Sequence, residues 1–314
     1  GANPFYTALD PYCMAWAAVD EAMRNAVAVG ADPDQVSLLD NFSWGNPNLP
    51  DRLGSLVRCV QGCYDAAVAF GAPFISGKDS LNNEYTGADG QKHAIPGTLV
   101  VSALAMVPDV DRTVTMDLKQ SGDWLYMVGL TRGELGGSAL ERRFGVGESH
   151  PHPQPLSLGG RGGPDSPLPV GEGPGVRVAP QPPDNALQIY RALHQAIAAG
   201  LVLACHDCSE GGLAVAAAEM ALAGGLGLEL RLADVPRSAA AAHDAAIAFS
   251  ESLGRLLVEV RPSASDRFEA LLAGHPMARI GRVREDDRIV ITGLDGQPVI
   301  ATGLAAVEQA WRNK

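Results

Sequence analysis

The residues best suited to chemistry in this chain are seven in a row, His206-Asp207-Cys208-Ser209-Glu210-Gly211-Gly212. They follow the apolar run Leu201-Val202-Leu203-Ala204 and precede Leu213, Ala217, Met220 and Ala221 at helical spacing, which predicts a helix from Leu213 to about Ala223. Glycines at the start of a helix leave amide N–H groups without intrahelical partners, at the positive end of the dipole. That geometry suits a phosphate, so the glycine turn is expected to face one. Asp207, two residues from Ser209, adds a carboxylate where Mg²⁺ would sit beside a phosphate. The plain alternative is that Ser209 or Asp207 caps the helix and the glycines only permit a tight turn.

Three further polar groups stand at positions that could serve the same chemistry. Glu21 and Asn25 are four apart and share a face of a predicted helix. Asp40 ends a predicted strand, and Gly77-Lys78-Asp79-Ser80 follows another as a tight loop. Each has a plain reading as well. Asp20, Glu21, Arg24 and Asn25 could be the wet face of the helix, with Asp20 and Arg24 an ion pair. Lys78 could be a solvated loop lysine and Asp40 a loop-capping carboxylate. Together, several carboxylates, an Asn, a Lys and two glycine-bearing turns at strand ends match what a Mg-nucleotide needs.

The elements that must position these groups read as two domains. Asp10-Pro11 is a helix start, Asp at the N-cap and Pro at the first position, for a helix running to about Val29. A strand at Val36–Leu39 follows, then an Asn/Gly/Pro-rich loop, NFSWGNPNLP. A second helix spans about Asp51–Phe70, with Leu53, Leu56, Val57, Val60 and Ala67 on one face. Pro73–Ile75 and Thr98–Val107 are strands, and they close a first domain at 1–118. The second, 119–314, opens with strand Trp124–Leu130 and the turn RGELGGS. It continues through the glycine turn, strands Leu226–Leu232 and Arg255–Val260, helices near Ala239–Ala248 and Ala264–Ala273, strands Ala278–Val283 and Arg288–Ile291, and a C-terminal helix. Strands and helices are mixed rather than strictly alternating, which predicts an α+β fold. From about 147 to 183 the pattern breaks. Ten of the 22 prolines and seven of the 36 glycines fall in residues 149–183, with no apolar periodicity, so this stretch is expected to be a disordered surface insertion within the second domain. Its His150 and His152 read as solvated.

Composition narrows the function classes. With 314 residues, 46% hydrophobic, the chain can bury large cores. A net charge of −12, with Lys and Arg scattered, argues against a nucleic-acid surface. No apolar run approaches the roughly 20 residues of a membrane span, and no signal peptide is visible. Five cysteines, Cys13, Cys59, Cys63, Cys205 and Cys208, are an odd count that suggests a reducing compartment, hence a cytoplasmic protein with ordinary thiols. The chain begins Gly1-Ala2-Asn3 without Met, as a fragment or a processed product would.

The strings LDNFSWGNPNLP, SGKDSLNNEY and HDCSEGGLAVAAAEMA resemble the phosphoribosylformylglycinamidine synthase family, over essentially the whole chain apart from the Pro/Gly segment. The motif set is specific: related families of the same fold, aminoimidazole ribonucleotide synthetase and selenophosphate synthetase, lack this combination. The resemblance implies the aminoimidazole-ribonucleotide-synthetase-like (PurM-like) unit, an N-terminal α/β domain plus a C-terminal α+β domain. The family's synthetase is an internal duplication of that unit, and this chain resembles the second half. The implied reaction uses ATP to activate the amide oxygen of formylglycinamide ribonucleotide, after which glutamine-derived ammonia displaces phosphate.

By the same resemblance, Asp40 and Gly77 match nucleotide contacts and Ser80 a substrate contact. Lys78 departs from one branch, in which Asn binds Mg²⁺ at this place, and reads as a phosphate contact instead. Glu21, Asn25 and Asp207 match Mg²⁺ ligands, and Ser209 a nucleotide contact, of the second nucleotide site in the large form of the enzyme, generally regarded as structural. The two branches imply different roles, and the sequence does not choose between them. The family's catalytic His belongs to the first half, so no catalytic side chain is assigned. The implied cofactors are ATP or ADP and Mg²⁺. The implied partners are the first half of the synthetase and a glutaminase subunit or domain, with neither nucleic acid nor membrane; an isolated chain is expected either to pair with itself as a homodimer or to be poorly soluble. The second reading is a nucleotide-binding structural half that stabilises its partner and carries no chemistry of its own.

Overall fold

The computed structural model describes residues 1–144 and 178–313. The expected insertion at about 147–183 therefore lies outside the described residues, except for its last six. Those six are not a solvated tail: Ala179 is buried, and the Gln181 amide donates to Glu134 Oε1 at 3.0 Å.

The chain opens with helix α1 (Pro11–Ala28), started as its sequence predicts: the Asp10 carboxylate accepts the Tyr12 amide at 2.9 Å and Pro11 holds the first helical position. Strand β1 (Val36–Trp44), helix α2 (Pro50–Phe70) and strand β2 (Phe74–Leu81) follow, then the hairpin β3 (Glu84–Thr86) and β4 (Lys92–Ala94), and strand β5 (Thr98–Ala105). A three-stranded sheet runs β2-β1-β5, with β1 parallel to β2 and antiparallel to β5. Both β1 and β2 are longer than the sequence predicts. Asn41–Trp44 and Gly77–Ser80, expected as loops, are strand, because Asp40–Ser43 and Gly77–Ser80 pair with each other and so satisfy their backbone groups.

Helix α1 packs on β5, and α2 packs on α1. The buried face of α2 is Cys59, Gly62, Cys63, Ala66 and Phe70, not the expected stripe. Leu53, Val57 and Val60 are exposed and Leu56 only half-buried. The reason is closeness: a β-carbon at Gly62 would stand 2.5 Å from the Tyr12 carbonyl oxygen, so only small side chains fit between the two helices. Among the described residues, no helix covers the other face of the sheet. There Leu104 is 64% exposed and Ile75 58%, beside Val100 on the same strand as Leu104.

The second region contains β6 (Trp124–Val128), α3 (Ala139–Phe144), α4 (Ala186–Ala198), β7 (Val202–Asp207), α5 (Gly212–Gly224), β8 (Gly227–Arg231), α6 (Asp244–Phe249), β9 (Leu256–Val260), α7 (Ser265–Leu271), β10 (Met277–Arg284), β11 (Arg288–Thr292), β12 (Pro298–Gly303) and α8 (Leu304–Arg312). Its seven-stranded sheet runs β12-β11-β8-β10-β6-β9-β7 and is antiparallel except for β8 with β11. Segregated helices on a mostly antiparallel sheet make the fold α+β, as the mixed pattern predicts. Strand β12 has no counterpart in the sequence reading. One face of this sheet packs against α5 and α6 in an apolar core of its own, with Leu304 and Val307 of the otherwise exposed α8 at its margin. The other face shares a core with the first region through α4, where Tyr190 stacks on Phe70 with ring centroids 5.9 Å apart. The two halves of the chain thus meet across a common hydrophobic interior. Among the described residues, no helix is long and apolar enough to cross a membrane.

Candidate functional site

The glycine turn sits where the sequence predicts, between β7 and α5, and α1 lies beside it. Together they enclose a cavity of about 370 Å³ whose walls include Glu21 and Asn25 from α1, His206, Asp207 and Ser209 from the turn, and Glu219 from α5. Glu21, Asn25, Asp207 and Ser209, chosen from opposite ends of the sequence, are thus brought together. Asp40, Gly77, Lys78 and Ser80 do not line this cavity. They form a second group on β1 and β2, where Asp40 is in register with Gly77 and its carboxylate occupies the space a side chain at Gly77 would need. Lys78, exposed, donates a short hydrogen bond to the Ser80 hydroxyl. Partial burial raises the Asp40 carboxyl from its usual value, and the nearby Asp79 charge adds to this.

Asp207 is the most heavily engaged group of the cavity. His206 Nδ1 lies 3.1 Å from its Oδ1, Ser209 donates a short hydrogen bond to Oδ2, and Arg24 Nη1 lies 3.6 Å from Oδ2. Burial works against its charge, but the His206 hydrogen bond, the Arg24 charge and the Ser209 hydroxyl outweigh it and hold the carboxyl well below the usual carboxylate range. His206 bridges two acids, its Nε2 being 3.0 Å from Glu219. Burial opposes protonation of the ring, yet hydrogen bonds to Asp207 and Glu219 raise it to about 9, so it is an imidazolium at neutral pH. Glu21 accepts the Ala2 amide at 3.3 Å, and burial raises its carboxyl although the Arg24 charge pulls the other way.

Two expectations fail here. Asp20 and Arg24 are not a solvated pair: both are buried, 2.7 Å apart. The glycine amides also do not face the cavity. Gly211 donates at 2.8 Å to Glu251 Oε1, and the Gly212 amide returns to the Ser209 carbonyl at 3.0 Å. Glu251, nearly fully buried, also accepts the Ala139 amide at 2.7 Å and the Tyr6 hydroxyl. The chain's own carboxylate thus fills the anion position at the start of α5. Glu251 and Glu219 are residues the sequence reading did not single out, and it named His206 only as part of the turn. Glu219 carried a signal, as the only charged residue of the otherwise apolar α5.

Cavity and turn offer oxygen ligands, yet among the described residues no group of three or more His, Cys, Asp and Glu side chains is arranged to hold a metal by itself. The five cysteines are buried and unpaired. The donor set fits Mg²⁺ of another kind. Mg²⁺ keeps several waters and is bound through one or two carboxylates plus the phosphates of a nucleotide, and Glu21 and the Asn25 amide from α1 and Asp207 from the turn supply hard oxygens to the cavity. A cation there would also offset the cost of burying the Glu21 charge.

Residues 2–104 match the family described as AIR synthase related protein, N-terminal domain, and residues 120–293 match its C-terminal domain. The chain is similar to the phosphoribosylformylglycinamidine synthase subunit PurL of Deinococcus radiodurans, 35% identical over 98% of this chain and 38% of that protein. It is 33% identical to the subunit of the same name from Thermococcus sibiricus, over 99% of this chain and 38% of that one. The chain thus spans about two fifths of the length of these curated relatives. Among solved structures, T. maritima PurL complexed with FGAR aligns with a TM-score of 0.70 at 17% identity, covering 98% of this chain and 44% of that one. The hydrogenase maturation protein HypE of E. coli aligns with a TM-score of 0.62 at 19% identity, over 91% and 78% of the two chains.

Proposed function

The chain belongs to the AIR synthase related family, and from that premise we propose that it forms one half of a phosphoribosylformylglycinamidine synthase and binds a Mg-nucleotide between α1 and the β7–α5 turn. The observation that carries this reading is the shared cavity: Glu21 and Asn25 from α1 meet Asp207 and Ser209 from the turn, some 180 residues away. T. maritima PurL, whose structures are described as complexed with ATP, ADP and FGAR, supports the ligand class. Glu21, Asn25 and Asp207 would hold Mg²⁺, which would supply charge compensation for the phosphates. Ser209 would contact the nucleotide through its hydroxyl. The phosphates would not sit on the glycine amides, which Gly211 and Gly212 spend internally.

The group on β1 and β2, Asp40, Gly77, Lys78 and Ser80, would serve the reacting substrates in the assembled enzyme. Lys78 is the cation available to a phosphate there, and Ser80 the hydroxyl for formylglycinamide ribonucleotide. In the overall reaction the γ-phosphoryl group goes to the amide oxygen, ammonia adds to the activated carbon, and phosphate leaves to give the amidine, with ADP as the other product. Glutamine hydrolysed on a glutaminase subunit or domain would provide the ammonia. The other half of the synthetase would cover the open face of the β2-β1-β5 sheet, whose exposed Ile75, Val100 and Leu104 are apolar.

A second reading has its own support. Both Asp207 oxygens are engaged by His206, Ser209 and Arg24, so the cavity is suited to holding a nucleotide firmly rather than turning it over. Under that reading the site is structural and the chain stabilises its partner. Reconstitution decides. The isolated chain with ATP, Mg²⁺, ammonia and formylglycinamide ribonucleotide should form no amidine, and adding the other half should restore turnover. Amidine formation by the monomeric chain alone would overturn the half-enzyme reading. Turnover that survives Asp40→Ala would remove Asp40 from the catalytic site.

A further inference from the structure

The nucleotide cavity has walls from two parts of the molecule: α1 from the first region and the β7–α5 turn from the second. Glu21 and Asn25 can act with Asp207 only if the turn is held at a fixed distance from α1. A side chain that spans this gap is Arg24. Its Nε lies 2.7 Å from Asp20 Oδ2 on the preceding turn of α1, and its Nη1 donates at 3.0 Å to the Cys208 carbonyl, with Asp207 Oδ2 at 3.6 Å. Asp20 is fixed in turn by the Tyr190 hydroxyl from α4 and by the Gly254 amide at 3.0 Å. Asp20 is fully buried and Arg24 2% exposed. On α1, positions 20 and 24 face the turn from within while 21 and 25 line the cavity.

We propose that Arg24, held by Asp20, is the positioning residue that sets Asp207 and the Cys208 backbone against Glu21 and Asn25. The proposal deepens the nucleotide-site reading and rests on it for its functional consequence. Two physical arguments carry it. The guanidinium is a planar fork that can bond Asp20 and the Cys208 carbonyl at once, which a lysine ammonium at the end of a flexible stem does not reproduce. The cavity is also lined by four carboxyl groups, Glu21, Asp207, Glu210 and Glu219. A buried cation behind Asp207 keeps these carboxylates from driving the two walls apart. Arg24 touches no substrate in this scheme. It acts through Asp207.

The test compares Arg24→Lys with Tyr190→Phe, which removes another hydrogen bond to Asp20 but leaves the Arg24 contacts to the turn intact. Amide hydrogen exchange in 205–212 reads the position of the turn directly, since the Cys208, Gly211 and Gly212 amides are all bonded there. Titration with Mg·ADP reads the consequence. Arg24→Lys should speed exchange in this segment at least tenfold and weaken Mg·ADP at least tenfold, while Tyr190→Phe leaves both within twofold of wild type even where it lowers the melting temperature. If Arg24→Lys does not fold, Asp20→Asn, whose one amide oxygen can still accept from Gly254 and Arg24 in place of Oδ2 while its NH2 meets the Tyr190 hydroxyl oxygen, removes the negative charge facing Arg24 and is expected to shift both readouts in the same direction. Should exchange and affinity stay within twofold in Arg24→Lys, or move equally in Tyr190→Phe, the positioning role is wrong. Should wild type not bind Mg·ADP, the nucleotide reading falls, and the exchange comparison alone decides the role of Arg24.

Discussion

Gly212 and Gly225 flank the same helix in nearly the same left-handed backbone conformation, with φ of +64° and +65°, yet their surroundings differ. A β-carbon at Gly225 would meet nothing within 4 Å. One at Gly212 would overlap the Ser250 carbonyl oxygen and crowd the Phe249 backbone, which cannot rotate away. Gly225→Ala therefore carries only the left-handed cost for an L-residue, about 1–2 kcal/mol. Gly212→Ala carries that cost plus an overpacking cost of about 1–3 kcal/mol. Urea unfolding of the two variants should put Gly212→Ala below Gly225→Ala by about 1–3 kcal/mol, with unchanged m values. The difference isolates the close approach of the α5 start to the segment that carries Glu251. Equal destabilisation of the two variants, or a milder effect at Gly212, would refute this close packing of the glycine turn.

Glu259 makes a pH prediction. It is fully buried, accepting the Lys119 amide at 2.9 Å and the Gln120 amide at 3.0 Å, and burial, with the Asp123 charge adding, raises its carboxyl from 4.5 to about 7. A raised acid favours the folded state fully below pH 4.5 and loses that contribution as pH climbs through 7. Denaturant melts from pH 4 to 8 should show wild type falling relative to Glu259→Gln by up to about 3 kcal/mol; parallel curves would show that Glu259 is not protonated in the fold. For the open sheet face, Leu104→Asp should leave the melting temperature within about 1 °C, as exposed substitutions do, while abolishing both self-association and complementation by the other half. Unchanged complementation would move the docking surface elsewhere.

How much the sequence discloses depends on how local the cause is. Helix α1 is legible because Asp10 and Pro11 act on adjacent amides. The turn at 206–212 is legible because an apolar strand, two glycines and an apolar helix follow one another directly. Strand at Gly77–Ser80 is not, since Gly, Asp and Ser read as turn residues until Asp40–Ser43 pairs with them from far away in the chain. The buried face of α2 is hidden for a related reason: its two helical stripes both repeat correctly, and only the approach of Tyr12 to Gly62 selects the small one. Charge misleads at Asp20, Arg24 and Glu251. Acids and bases are seldom buried unless paired, and their partners, Tyr190, the Cys208 carbonyl and the Gly211 amide, come from distant segments. Glu21, Asn25 and Asp207 could be chosen from motif and resemblance, but not the internal carboxylate that turns the glycine amides away from the cavity.

The most direct test of the nucleotide site is a crystal of this chain grown with ADP and Mn²⁺ in place of Mg²⁺, with anomalous scattering locating the metal. A metal peak bounded by Glu21, Asn25 and Asp207 is expected, with ADP phosphates beside Ser209, and loss of both in Asp207→Asn. A peak beside Asp40 on β1, or ADP and metal absent from the cavity at saturating concentration, would contradict it.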